Sequence, residues 1–473
     1  MQALMVSGDR SGSGKTSITL AIAALLSRSM TVQTYKVGMD YIDPSYLSGV
    51  TGRPCRNLDT FVMNPDEIGQ IFAHGARGAD LAIVEGVRGL FEGAESLADT
   101  GSSASVAKRL GLPVVLVVSA RSVTRSAAAL VRGFQSFDPG VDIRGVILNN
   151  VSGEQHIRKA TEAIEHHCRI PVIGAIPRMP EMELTMRHLG LVPFREGRAD
   201  PQFEIKIAAL ADMISGYIDL DALLGLATRC EPAETFPSPI FSGTDSPDVR
   251  IGIALDEAFN FYYSDLFDIL AAFGAEWVPF SPLRDPLPEA DGYIIGGGYP
   301  ELFLQELERN DRMREAVSER SRAGVPFYAE CGGLMYLSDR IVLKKGWQGR
   351  RDDESFAMCG VFPGETIMPA RRVVSYVEGD SLGGNPLGAG HFRGHEFHYS
   401  DVVLSPETHY SYLLSRGKGI SGNRDGAVTG NTLGSYTHLH PVASHGLFAG
   451  FVRTCRRSDG EQAAGKIYEN GQK

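Results

Sequence analysis

The chain has 473 residues, more than one ordinary hydrophobic core accommodates, so two domains of roughly 200 residues each are expected. Hydrophobic residues at 43% and charged residues at 22% are the proportions of a soluble globular protein. A net charge of −11 argues against a broad nucleic-acid-binding face and leaves room only for a local basic pocket that takes a small anion.

The longest apolar run, Leu112 to Val118, is too short to span a bilayer and reads as a buried strand. The opening MQALMVSGDR has no basic segment followed by an apolar signal core, so a cytoplasmic protein with no membrane partner is expected. Six cysteines are scattered without a C-x-x-C pair, which implies reduced thiols rather than a disulfide framework or zinc ribbon.

In chain order, the strand QALMVSG leads through a glycine loop into the helix SITLAIAALLSRS. TVQTYKVG, DLAIVEG, PVVLVVSA, RGVILNNV and PVIGAIP follow as strands, with helical patterns such as SSASVAKRLG and EQHIRKATEAIEHHC between them. Strands alternating with helices predict a parallel sheet covered on both faces, here over residues 1–227. Residues 228–248 carry four prolines, several Ser and Thr and no periodicity, so they read as a linker. A second α/β domain is expected over 249–455. It opens on the strand VRIGIAL, with helices over YYSDLFDILAAFGA and QELERNDRMREAVSERSRAG, and strands at EWVPF, GYIIGGG and VPFYAE. Lys344 to Glu354 reads as a solvated excursion and 456–473 as a weakly ordered tail.

Two places carry chemistry. Between the first strand and helix runs Gly8-Asp-Arg-Ser-Gly12-Ser-Gly14-Lys15-Thr16. Glycines let backbone N–H groups converge on an anion, Lys15 neutralises phosphate charge and Thr16 offers a hydroxyl to Mg²⁺. The usual G-x-x-x-x-G-K-[ST] spacing is not met, because the first glycine sits one position early. Nucleotide-bound Mg²⁺ also wants one or two carboxylates. Asp40, Asp43 and Glu85, at the ends of strands, are the candidates, and Lys36 faces either phosphate or solvent. The second place is VPFYAECGGLMYL, an apolar strand that meets Cys331-Gly332-Gly333 and then a helix. That turn exposes a nucleophile, and the helix N-terminus favours the thiolate. His438 and His440 lie two apart in YTHLHP, on one face of a strand, and either is a candidate base. Gly296, Gly297 and Gly298, with Gly332, offer N–H groups for an oxyanion. In GHEFHYS, His395, Glu396 and His398 lack zinc-helix spacing and read as a structural or substrate-facing strand.

With both places in view, the chain resembles the cobyrinate a,c-diamide synthase family over about residues 1–451. The likeness is carried by the displaced phosphate loop, KVGMDYIDPSYLSGVTGRPCRNLD, VEGVRGLFEG, RHLGLVP, DEAFNFYY, VPFSPLRD, IIGGGYPEL, YAECGGLMYL, GHEFHYS and SYTHLH. The resemblance implies an N-terminal P-loop, dethiobiotin-synthetase-like parallel-sheet domain and a C-terminal class I glutamine amidotransferase-like α/β domain. It implies ATP and Mg²⁺ as cofactors, with L-glutamine and a polycarboxylate tetrapyrrole as substrates. It places Thr16, Asp40 and Glu85 near Mg²⁺, Asp43 near the substrate carboxylate, and Asn149 and Asn150 beside the adenine. Cys331 becomes the glutaminase nucleophile and His438 its base. His440 holds the place where such glutaminases carry an acid, which leaves the third triad member open. The oligomer considered is a homodimer.

Met39 in KVGMD and Glu92 in LFEG, with Arg88 close by, look more like the branch acting on nickel-sirohydrochlorin, en route to coenzyme F430. The corrinoid branch is the alternative. The phosphate-loop half is also similar to MinD-like ATPases, which would make the chain an ATP-switched binding protein with an inactive glutaminase domain. A cobyric acid synthase-like enzyme would use the same parts on other side chains.

Overall fold

The computed structural model describes residues 1–179, 201–230, 237–243 and 246–456. RHLGLVP, residues 231–236 of the expected linker and 457–473 of the expected tail lie outside the described residues. The chain divides into two compact units, Met1–Pro239 and Ile240–Lys473.

In the first unit, β1 (Gln2–Gly8), β2 (Val32–Val37), β3 (Arg56–Leu58), β4 (Leu81–Gly89), β5 (Val114–Ser119), β6 (Ile143–Val151) and β7 (Val172–Pro177) pair in the order β3-β2-β4-β1-β5-β6-β7. All these pairings are parallel. The connections carry α1 (Lys15–Leu26), α2 (Ile42–Thr51), α3 (Pro65–Ala76), α4 (Ser103–Leu110), α5 (Arg125–Phe137) and α6 (Glu154–Cys168), followed by α7 (Pro201–Ser215) and α8 (Leu220–Leu226). Strands covered on both faces must be apolar throughout, which is why β1, β4 and β5 read as continuous hydrophobic runs. Helix starts follow local chemistry. Asn64 accepts from the Asp66 and Glu67 N–H groups while Glu67 bonds back to Asn64 N, with Pro65 in the first turn. The winding reverses around β1, so a crevice opens beyond the carboxyl ends of β1, β4 and β5, where such sheets bind ligands. Two residues of the expected linker join this sheet: β8 (Thr228–Arg229) pairs antiparallel with Gln2 and Ala3.

The second unit begins with β9 (Val249–Ala254), β10 (Phe259–Phe261), α9 (Asp265–Ala272), β11 (Ala275–Phe280), β12 (Gly292–Ile295) and β13 (Gly297–Gly298). It continues through α10 (Leu304–Arg309), α11 (Asp311–Arg322), β14 (Phe327–Glu330) and α12 (Gly332–Leu337). The single helix expected over 305–324 is therefore interrupted at Asn310, whose amide donates to the carbonyls of Pro282 and Asp285. Strands β15 (Ser338–Leu343), β16 (Glu354–Ala357), β17 (Phe362–Met368), β18 (Val373–Leu382), β19 (Ala389–His398), β20 (Asp401–Leu404), β21 (His409–Arg416), β22 (Arg424–Thr429), β23 (Thr432–Ser435) and β24 (His438–Leu439) complete it.

The ten-stranded order is β11-β9-β12-β14-β23-β22-β21-β18-β19-β24. Its first five strands are parallel and the remainder antiparallel. A second sheet, β16-β15-β17-β20, packs into the same core. The stretch expected as a solvated excursion is the β15–β16 connection. Lys344 pairs there with Asp353, while Trp347 packs on the core rather than facing solvent. Among the described residues, no helix is long and apolar enough to cross a membrane.

Candidate functional site

The phosphate loop joins β1 to α1. Gly12 and Gly14 have φ of 76° and 92°, a region open to glycine at little cost. A Cβ on Gly14 would fall 2.2 Å from Asn149 Nδ2. Asn149, at the end of β6, donates to the Ser13 carbonyl at 2.8 Å, so its amide braces the loop. Asn150 is half-buried, in left-handed backbone (φ 61°), with its amide 3.5 Å from Ser119 Oγ.

Beside the loop the parallel register aligns Lys36 of β2 with Glu85 of β4. Lys36 Nζ donates to Glu85 Oε1 at 2.8 Å and to Asp43 Oδ2 at 2.5 Å. Thr16 Oγ1 donates to Glu85 Oε1 at 2.6 Å and lies 3.3 Å from Asp43 Oδ2. Lys36 is thus not a solvated surface lysine; it is buried as the counterion of two carboxylates, one of which also accepts from Thr16 of the phosphate loop. The register of β2 on β4 makes that so, and one sequence position viewed alone does not reveal it.

Asp40 bonds the Ile42 N–H at 2.9 Å and hydrogen-bonds Asp43. The carboxylates in hydrogen-bond reach of Thr16 are Glu85 and Asp43 rather than Asp40. Burial and then the charge of Asp43 push Asp40 up to about 7, against the pull of Lys36. Burial also acts to raise Asp43, but the Lys36 charge and hydrogen bond prevail and hold it below the usual carboxylate range. Burial, reinforced by Lys36, lowers Lys15.

The same residues fit a nucleotide-bound Mg²⁺. Glu85 Oε2 is buried with no hydrogen-bond partner, and the Thr16 hydroxyl sits against the other oxygen. Among the described residues no cluster of three or more His, Cys, Asp or Glu holds a metal unaided. A magnesium site here would draw its remaining oxygens from phosphates and water.

In the second unit Cys331 joins β14 to α12 as the helix N-cap, with φ 47°, a strained conformation for a residue with a Cβ. Its N–H is held by the Ser435 carbonyl at 2.7 Å, and Sγ lies 3.7 Å from the Phe397 carbonyl. A Cβ on Gly333 would fall 2.1 Å from the Ile295 carbonyl oxygen, and one on Gly332 would fall 3.1 Å from Gly298 N. A Cβ on Gly297 would fall 2.6 Å from His438 Cε1. Gly297, Gly298, Gly332, Cys331 and His438 therefore crowd one place, and the small residues are what permit it.

His438 hydrogen-bonds Cys331, and its Nδ1 lies 3.2 Å from Glu330 Oε2. Burial opposes its charge, yet the hydrogen bonds to Cys331 and Glu330 hold it up at about 10. The two histidines of YTHLHP part company: His440 Nε2 lies 3.4 Å from Asp265 Oδ2, both wholly buried. Of GHEFHYS, His395 stacks on His438 with centroids 4.9 Å apart and bonds the Tyr263 hydroxyl. Burial and the neighbouring histidines push it well below the ordinary range. Glu396 accepts the N–H groups of Lys418 and Gly419, and His398 stacks on Tyr436, so both brace the sheet. Sequence reasoning passed over Glu330, seeking the acid after the histidine instead of beside the cysteine. Its signal was a carboxylate inside an otherwise apolar strand.

Residues 4–192 match the CobQ/CobB/MinD/ParA nucleotide binding domain, and residues 250–445 match the CobB/CobQ-like glutamine amidotransferase domain. The chain is 50% identical to a cobyrinate a,c-diamide synthase of Methanosarcina acetivorans, covering 98% of this chain and 95% of that protein. It is 48% identical to one of Methanosarcina barkeri, covering 96% of each chain. It is 39% identical to one of Listeria innocua, covering 93% of this chain and 96% of that one.

Proposed function

The chain belongs to the cobyrinate a,c-diamide synthase family of glutamine amidotransferase ligases, and we propose that it amidates the a- and c-acetate side chains of a polycarboxylate tetrapyrrole at the expense of ATP. The observation that carries this reading is the pairing, in one chain, of a Thr16–Glu85–Asp43–Lys36 cluster beside a phosphate loop with a Cys331–His438 couple on a strand–helix elbow.

Two macrocycles fit that chemistry. Cobyrinate is supported by the names of relatives 39–50% identical over nearly the whole chain. Nickel-sirohydrochlorin is supported by Met39 and by Glu92 near Arg88. Arg88, exposed near the end of β4, and Arg121, exposed just after β5, suit the carboxylates of either.

The proposed division of labour follows from the two sites. At the glutaminase site Cys331 attacks the glutamine carboxamide. The N–H groups of Gly297, Gly298 and Gly332 receive the oxyanion, and His438 passes the proton that releases ammonia. At the other site Gly12, Gly14, Lys15 and Thr16 hold the ATP phosphates, Asn150 lies beside the base and Asn149 braces the loop. Thr16 and Glu85, with Asp40 nearby, would hold Mg²⁺, which supplies charge neutralisation on the transferring phosphoryl group. Asp43 and Lys36 orient the substrate carboxylate for conversion to an acyl phosphate, whose carbonyl carbon ammonia then attacks with phosphate leaving. The six free cysteines suit a reducing compartment such as the cytoplasm.

The test is incubation with ATP, Mg²⁺ and glutamine, offering cobyrinic acid and nickel-sirohydrochlorin separately and following product mass. Two successive replacements of OH by NH₂ on one macrocycle assign the substrate, and on both assign a dual enzyme. Glutamine hydrolysis with neither amidated would overturn the tetrapyrrole reading and leave the glutaminase.

A further inference from the structure

The glutaminase half of that reading leaves the partner of His438 open, since His440 occupies the position where an orienting acid is expected. The geometry points to Glu330, the residue immediately before the nucleophile, as the positioning residue that holds His438 in the tautomer and orientation its work requires; this rests on the glutaminase reading.

Four observations carry it. Glu330 Oε2 lies 3.2 Å from His438 Nδ1, so that nitrogen carries the proton and Nε2 is left to face the Cys331 sulfur. Glu330 is itself fixed: its Oε1 accepts the Leu439 N–H at 2.9 Å and the Tyr328 hydroxyl. The Leu439 contact ties the acid to the backbone of the residue next to His438, so histidine and carboxylate move as one piece. Both side chains are out of solvent, at 2% and 9% exposure, where a carboxylate beside a forming imidazolium acts with little screening.

His440 is committed elsewhere. It faces Asp265 at 3.4 Å, accepts the Val442 N–H and packs its ring on Tyr263 at 4.6 Å. The histidine stacked on His438, His395, faces the Tyr263 hydroxyl. The alternation of an extended strand explains how an acid adjacent to Cys331 can serve. Successive side chains leave a strand on opposite faces, and the abrupt turn at Cys331 brings the thiol back to the histidine from the other side. An acid before the nucleophile therefore takes the place of an acid after the histidine.

The test uses the full chain with three variants. Glu330→Gln is expected to lower kcat for glutamine hydrolysis by about a hundredfold, with KM changed less than about threefold, because orientation and not binding is lost. Glu330→Asp is expected to recover part of that loss. The pH for half-maximal inactivation by iodoacetamide, which reads the Cys331–His438 couple without substrate, is expected to rise by about one unit in Glu330→Gln. His440→Asn is expected to leave that midpoint in place. Thermal melts report folding. If Glu330→Gln does not fold, Glu330→Asp, which keeps the charge but draws it back from Nδ1, should move the midpoint in the same direction by a smaller amount. An unshifted midpoint and near-normal kcat in a folded Glu330→Gln would overturn the inference, and the same losses in His440→Asn instead would return the role to His440. A wild-type chain that neither hydrolyses glutamine nor alkylates at Cys331 would overturn the glutaminase reading itself.

Discussion

Replacing Lys36 by Met isolates the charge that organises the ATP-side cluster. Its ammonium is the cation within bonding distance of both Glu85 and Asp43, whose side chains are 0% and 23% exposed. Removing one partner of a buried pair costs about 3–5 kcal/mol, because the remaining charge stays buried and uncompensated. Glu85 would keep only the Thr16 hydroxyl, its other oxygen already lacking a partner. The methionine fills similar volume, so the apolar term nearly cancels and a net loss of about 3 kcal/mol remains.

For a unit of this size that lowers the melting temperature by about 6–12 °C. The assay is thermal unfolding of wild type and Lys36→Met across pH 5 to 8, following the transition that responds to Mg²⁺–ATP. In the variant, acid lets a stranded carboxylate take up a proton that the unfolded chain does not bind at that pH. Its stability therefore rises as pH falls, and the gap to wild type narrows toward pH 5. Equal melting temperatures, or a gap that does not change with pH, would refute the claim that Lys36 is a buried counterion.

Three further outcomes follow from the same geometry. Gly14→Ala forces a Cβ to 2.2 Å from Asn149 at φ 92°, and the strain of about 1–2 kcal/mol predicts Mg²⁺–ATP binding weakened about tenfold or more by calorimetry. Gly297→Ala sets a methyl 2.6 Å from His438 Cε1; glutamine hydrolysis should fall by about 10–100-fold in kcat while ammonia-driven amidation is untouched. His438, raised to about 10 in the folded protein, contributes stability that is complete below its ordinary value near 6.5 and is lost as pH climbs through about 10. The melting-temperature difference between wild type and His438→Asn should therefore shrink between pH 7 and 10, and a constant difference would contradict the assignment.

The first unit was largely legible because its strands are buried on both faces. An apolar run such as Val114–Ser119 announces itself, and the glycines before Lys15 mark where the first strand turns into a helix. The nucleophile elbow was legible for a similar reason, since Cys331-Gly332-Gly333 interrupts an apolar strand. Of the strands from β17 to β22, only the end of β19, in GHEFHYS, was read from the sequence. These strands have one half-exposed face, as in β18 and β19, and no intervening helices set their spacing. Lys36 was left undecided because its partners come from β4 and α2, and pairing register is a tertiary fact. Glu330 was missed because the expected pattern placed the acid after the histidine, whereas the fold supplies it from the end of β14, next to the cysteine. The break at Asn310 came from a side-chain contact to the 282–285 turn that no local signal records.

The most direct test of the two-site account is amidation by Cys331→Ser with ATP, Mg²⁺ and the assigned tetrapyrrole, supplied with either glutamine or ammonium. The account predicts that glutamine no longer supports product while ammonium supports it at close to the wild-type rate. Loss of both activities in a folded Cys331→Ser protein, or survival of the glutamine-dependent one, would contradict it.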